Sequence, residues 1–240
     1  MAQPLTTWTV LPHGKLSALD DNLLTVVGEL PMPLGDFPRR MTVVRLQDSR
    51  LVIFSAIALD DAEMQALEAF GTPSFLIVPS DIHRMDAKIW KDRYPALFVV
   101  APEGARAKAQ EIVPIDATHV DFRDPRVRYV TVPGTEGQEA ALVVETSSGT
   151  TLVINDLIWN VDNRPGLGGW VYRVFGFTGP EPRIPRVVER RKVKDKPALR
   201  TQLEDWSRLH GLNRILVSHG EIVERDPPAV LRELAHALAA

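Results

Sequence analysis

Four apolar runs of this 240-residue chain end in side chains that can do chemistry. Asp81 and His83 follow "FLIV", Thr135 follows "YVTVPG", Asp156 follows "TLVIN", and His219 follows "ILVS", with Asp86 closing the stretch "LIVPSDIHRMD". Open α/β folds gather ligands at the carboxyl ends of their strands, so polar groups recurring there are candidates for one site. Taken singly, an aspartate after a strand caps a turn and a lone histidine is a hydrogen-bonded structural residue; the recurrence is what points to a site. The chain contains no cysteine. Disulfides and thiolate chemistry are therefore excluded, and a metal would have to rest on imidazole, carboxylate and water. No "GxSxG" or "SxxK" supports a serine or lysine nucleophile. The glycines of "NVDNRPGLGGWVYRVFGFTG" lack the Gly-Lys-Ser/Thr element of a phosphate cradle, so this stretch reads as a loop beside the pocket. Its aromatic residues Trp159, Trp170, Tyr172, Phe175 and Phe177 are expected to pack into the core rather than line a cleft. His13 and His119 fall in loop-like stretches and His210 and His236 on amphipathic helices, away from strand ends.

The elements that must hold these groups are short. "LLTVVGEL", "MTVVRLQDSRLVIFSAI", "SFLIVPS", "ALFVVAP", "VRYVTVP", "AALVVETSSGTTLVINDLIWNV" and "RILVSHG" are rich in Val, Ile and Leu and bounded by Gly, Pro, Asp or Ser, the pattern of strands. "QDSR" and "TSSGT" turn hairpins between Leu46 and Leu51 and between Val144 and Leu152, so part of the sheet is antiparallel. "DDAEMQALEAFG" begins on a capping aspartate, carries Met64, Leu67 and Phe70 at helical spacing and stops at Gly71. "DKPALRTQLEDWSRLHG" repeats the design with Leu199, Leu203, Trp206 and Leu209 on one stripe, and "PPAVLRELAHAL" forms a last helix. The order is β-rich with interleaved helices, in two halves of similar style and without a short repeat.

Residues 176–196, "GFTGPEPRIPRVVERRKVKDK", depart from this grammar with three prolines and, from Arg183 to Lys196, seven basic residues against two acidic ones. No aromatic residue interrupts the basic run, so a solvated loop or an arm packing on a second copy is expected rather than a nucleic-acid arm.

An apolar content of 45% suffices for a sizeable core, and the net charge of −3 gives no reason to expect nucleic acid or an anionic membrane as partner. The start "MAQPLTTWTVLPHGKL" has no basic region leading into an apolar one, and no apolar run approaches the roughly 18 residues that span a bilayer. The expectation is a cytoplasmic protein acting on a small molecule, with residues 176–196 as a route to a homo-oligomer.

The spacing and wording resemble the metallo-β-lactamase superfamily, in particular a branch known as a domain of unknown function with a degenerate metal motif. "FSAIAL", then "FGTPSFLIVPSDIHRMDAKIWKDRYPALFVVAPEGARAK", follow that order; "VTVPGTEGQEAALVVE" resembles the "PGHTPGS" loop and its strand. "TLVINDLIWN" resembles the strand ending in the metal-bridging aspartate, and "ILVSHGE" the strand ending in the last histidine ligand. The resemblance covers roughly residues 20–170 and 197–238. It implies an α/β (α+β) fold, a four-layer αββα sandwich of two mixed sheets flanked by helices, forming one domain over residues 1–240 with a basic, proline-rich insertion at about 176–196.

The departures are in the metal motif. Where active members carry "HxHxDH", this chain has "VPSDIHRMD", and Thr135 stands where the "PGH" loop has its histidine. Two registers are open. One sets Asp81, His83 and Asp86 in the motif, giving with Asp156 and His219 a five-residue candidate metal set; the other makes His83 its last histidine, leaves Val78 and Ser80 at ligand positions, and retains only His83, Asp156 and His219. A dinuclear zinc hydrolase needs about three protein ligands on each ion. Either register implies no metal or one divalent ion, Zn, Mn or Fe, beside a pocket that includes Thr135, and argues against standard dinuclear zinc hydrolase activity. The alternatives are a mononuclear hydrolase using a metal-bound water and a non-catalytic binding or assembly module. Without a cation the clustered carboxylates need a base beside them, such as Arg84.

Overall fold

The computed structural model describes residues 3–30 and 36–239. Strands β1 (Ser17–Asp20), β2 (Leu23–Leu30), β3 (Phe37–Arg45) and β4 (Arg50–Phe54) form an antiparallel meander, and helix α1 (Asp61–Phe70) crosses over to β5 (Thr72–Ile77), parallel to β4. Helix α2 (Ala87–Arg93) leads to β6 (Phe98–Val100), which completes a six-stranded sheet in the order β1-β2-β3-β4-β5-β6. After α3 (Glu103–Gln110) come β7 (Val127–Thr131), β8 (Ala140–Thr146) and β9 (Gly149–Asn160), then α4 (Gly166–Val174), α5 (Arg186–Lys192), α6 (Lys196–Trp206), β10 (Leu212–Gly220) and α7 (Pro227–Ala237). The second sheet runs β10-β9-β8-β7, with β10 parallel to β9 and the other pairs antiparallel.

Both sheets are apolar on two faces, which is why their strands read as nearly continuous Val/Ile/Leu runs. On β4, Leu51 and Ile53 face α1, whose Met64 and Leu67 are fully buried, while Val52 and Phe54 face the other sheet. On β8, β9 and β10, Val143, Leu152 and Ile215 pack against Leu199 and Leu203 of α6 and Leu231 of α7; Leu142, Val153 and Leu216 meet Phe54, Phe75 and Ile77 across the sheets. Two helix–sheet cores and one sheet–sheet core define the expected αββα layers. The expected hairpins also form, around Asp48 and Ser49 and around Ser147 and Ser148, where the Asp20 carboxylate receives both serine hydroxyls.

Residues 163–196 differ from expectation. The glycine-bearing stretch forms α4, and the basic segment does not stand apart as an arm: α5 packs along β9, with Val188 and Lys192 buried. The physical reason lies in the spacing of Val188, Lys192 and Val193, which gives α5 one buried face beneath its arginines.

Candidate metal centre and pocket

Each group at the centre is set by a break in regular structure. Between the pairs Val217↔Ile154 and His219↔Trp159, β9 advances five residues while β10 advances two. This bulge turns Asn155 and Asp156 into the space between the sheets, where both are fully buried. Ser218 Oγ donates to Asn155 Oδ1 at 2.9 Å and holds the bulge. Gly220 follows His219 at φ +102°, and a Cβ there would lie 1.9 Å from the Asn160 carbonyl oxygen, so only glycine lets β10 close against the end of β9. Arg40 of β3 donates to the carbonyls of Val217 (3.1 Å) and Gly220 (2.8 Å), fastening the histidine-bearing end of β10 across the sandwich.

Three of the five candidate ligands come together. His83 Nε2 and His219 Nε2 lie 2.9 and 3.2 Å from Asp156 Oδ1 and 3.0 Å from each other, and the three donor atoms all fall within 4.8 Å. His219 Nδ1 is 2.7 Å from the Pro38 carbonyl oxygen, which can only accept. Nδ1 therefore carries a proton, and in the neutral ring Nε2 presents its lone pair to the centre. His83 Nδ1 is held by Ser55 Oγ at 2.8 Å, from a serine in the left-handed region at φ +57°. Trp159 stacks on the His219 ring with centroids 4.0 Å apart and planes 30° from parallel.

Asp81 and Asp86 go elsewhere. Asp86 pairs with Arg39 and accepts the Ala58 N–H at 2.9 Å, pinning the loop to β3. Asp81 pairs with Arg191 and lies 3.5 Å from Lys192 Nζ. Arg84, the base expected beside these carboxylates, binds Glu111 instead. Ser80, not Asp81, reaches the centre, its Oγ donating to Asp156 Oδ2 at 3.1 Å; this is the arrangement of the register that leaves Ser80 at a ligand position. Thr135 is fully buried away from the pocket, donating to the Val132 carbonyl at 2.7 Å within its turn. The neighbouring Gly134 carbonyl accepts from the N–H groups of Lys194 and Asp195, so this loop anchors the chain just past α5.

The residue that sequence reasoning did not place here is Lys192. Its Nζ lies 3.0 Å from Asp156 Oδ2 and contacts Glu139 Oε1, and the residue is 1% exposed. Burial opposes its charge, but the carboxylates of Asp156 and Glu139 outweigh that and hold its pKa above the ordinary lysine value. Burial likewise opposes ionisation of Asp156, yet its neighbours His83 and Lys192 hold its pKa well below the ordinary value. Burial pushes Glu139 up to about 8 against the pull of Lys192, making it the weaker acid of the two. Burial also lowers His83, outweighing the attraction of Asp156, so the fixed positive charge of the centre is the ammonium. The available signals were the place of Lys192 between Val188 and Val193 on one helical face, and Glu139 as the lone acid before "AALVV".

Above the centre lies a cavity of about 320 Å³. Phe37, Trp159, Tyr172 and Phe177 form one wall, Val187 and Val188 of α5 another, and His83, His219 and Asp156 the polar floor. Phe37 meets the Tyr172 ring edge-on at 4.6 Å. Trp159, Tyr172 and Phe177 thus line the cleft, while Trp170 and Phe175, expected in the core, are about half exposed.

Solved structures that this architecture resembles include metallo-β-lactamases. The chain is similar to FIM-1 from Pseudomonas aeruginosa in its mono-zinc form, with a TM-score of 0.63 and 12% identity over 95% of this chain and 96% of that one. It is similar to DIM-1 exposed to ceftazidime (TM-score 0.64, 12% identity, 97% and 100% covered) and to the enzyme from Hirschia baltica (0.61, 11%, 93% and 98%). The chain has the metallo-β-lactamase fold. No protein-family model and no curated protein matches it.

Proposed function

We propose that this protein is a metallo-β-lactamase-fold protein holding one divalent ion on His83, Asp156 and His219, and that it acts on a small, largely apolar molecule as a mononuclear hydrolase without standard dinuclear zinc chemistry. The observation that supports this most is the convergence of two imidazole nitrogens and a carboxylate oxygen on one point, with the lone pair of His219 aimed inward by the Pro38 carbonyl. Without a cation, one N–H of His83 has to serve both Asp156 Oδ1 and His219 Nε2; a divalent ion satisfies all three donors together. Two histidines and a carboxylate with open positions suit Zn, Mn or Fe.

When bound, such an ion polarises a carbonyl or phosphoryl group and makes bound water a nucleophile at neutral pH. The protein's own residues set the conditions. Ser55 and the Pro38 carbonyl orient the two rings, Trp159 fixes the plane of His219, and the aromatic wall holds the apolar body of the substrate and excludes water. The polar floor selects for a hydrolysable group at the end of that body.

One observation favours a second reading, a metal-free binding module. The two Nε2 atoms stand 3.0 Å apart, a hydrogen-bond distance, so a single proton can close the cluster. Elemental analysis of untagged protein beside the Asp156→Ala/His219→Ala double variant separates the two. About one equivalent of Zn, Mn or Fe, absent from the variant, supports the first reading; no metal after incubation with Zn²⁺ or Mn²⁺ supports the second.

Self-association belongs to the proposal as well. Leu167, Trp170, Val174 and Phe175 of the α4 region and Val187 of α5 are exposed beside the pocket, where a second copy would pack. Sedimentation of wild type against Trp170→Glu tests it, a lower mass in the variant being the expected result. Among the described residues, no helix is long and apolar enough to cross a membrane; a cytoplasmic location stays part of this reading.

A further inference from the structure

Asp156 divides its two oxygens between unlike partners. Oδ1 faces the imidazoles of His83 and His219; Oδ2 faces the Lys192 ammonium at 3.0 Å and the Ser80 hydroxyl at 3.1 Å. Around Lys192 stand three carboxylates from separate parts of the chain: Asp81 from the loop after β5, Glu139 ahead of β8, and Asp156 from the β9 bulge. Of the three N–H donors of the ammonium, Glu139 and Asp156 take two by hydrogen bonds, and Asp81 Oδ1 faces it as an ion-pair partner at 3.5 Å. With a side chain 1% exposed, it acts as a charge fixed inside the protein.

Three carboxylates and a hydroxyl are the donors a hard divalent cation takes. We infer that Lys192 is a resident cation that replaces a second metal ion at Asp156 Oδ2 and restricts the centre to one metal. Carried on α5, this charge also closes the segment over the pocket, so the cation and one pocket wall are a single element. The count of one, rather than none, rests on the proposed function; the exclusion of a cation from the Oδ2 side does not.

Wild type, Lys192→Met and Lys192→Arg proteins, stripped with chelator, are titrated calorimetrically with Mn²⁺ and separately with Ca²⁺, and bound metal is counted after gel filtration. Lys192→Met should bind one equivalent more than wild type, including Ca²⁺, which wild type should not take up; Lys192→Arg should match wild type. A folded Lys192→Met with the wild-type count, or a wild type that itself binds two ions, overturns the inference. If Lys192→Met does not fold alone, it is refolded with Mn²⁺: recovery of the native near-ultraviolet spectrum supports the inference and failure overturns it. Zero ions in wild type and one in Lys192→Met would sustain this inference while removing the proposed function; one in each would do the reverse.

Discussion

Lys192 Nζ and Asp156 Oδ2 stand 3.0 Å apart inside the sandwich, joining α5 to the bulge of β9. Asp156 also holds His83, His219 and Ser80, whereas Glu139, which is hydrogen-bonded to the same ammonium, has Asn155 besides. Breaking a buried ion pair from one side leaves the partner charge uncompensated, at about 3–5 kcal/mol. Asp156→Asn should therefore lower stability by that order. Glu139→Gln, which leaves Asp156 on the ammonium, should cost clearly less, about 1–3 kcal/mol. Guanidinium unfolding of both variants checks the ranking, and equal costs would contradict it.

Ser55 orients His83 from a left-handed backbone conformation. Ser55→Gly removes the hydroxyl without strain, so it should keep wild-type stability while metal affinity falls about 10–100-fold, the usual effect of losing a group that orients a ligand. Ser55→Ala keeps the Cβ, and with it the positive-φ strain that wild type already bears, so it should show the same affinity loss and be about 1 kcal/mol less stable than Ser55→Gly. Competition with a fluorescent chelator and thermal unfolding read the two effects separately.

Asp86 is spent on Arg39 and the Ala58 N–H, and Asp81 on Arg191 and Lys192. Asp86→Asn should leave metal stoichiometry unchanged while lowering the melting temperature, since it breaks a buried pair at a cost of about 3 kcal/mol or more. A variant that loses the metal but keeps its melting temperature would return Asp86 to the ligand set.

Asp124 accepts the N–H groups of Gln47 (2.7 Å) and Arg126 (3.0 Å) and pairs with the Arg126 guanidinium. Burial opposes its charge, but these bonds and the arginine leave its pKa below the ordinary value. The unfolded chain binds the proton more tightly, so the stabilisation is present above about pH 4, the unfolded aspartate value, and is lost as the pH falls through the lower folded value. Asp124→Asn should be less stable than wild type at pH 7, and the gap should narrow as pH is lowered from about 4 to 2, measured by urea unfolding across that range.

Much of this protein was legible in its residues because local chemistry decides it. The doubly apolar runs specified strands buried on both faces, the capping aspartates Asp60 and Asp195 started helices, and His83, Asp156 and His219 stood at strand ends, where open sheets expose side chains. Tertiary structure alone decided between the registers of "VPSDIHRMD", because Asp81 and Asp86 differ from a ligand only in which base lies within reach. It also turned a basic run into a pocket wall: Lys192 is one of seven basic residues between Arg183 and Lys196, and only the packing of α5 along β9 takes it from water and sets it among three carboxylates. Charge is written in the sequence, but the balance of burial and pairing that makes a charge into part of a site is a property of the folded molecule.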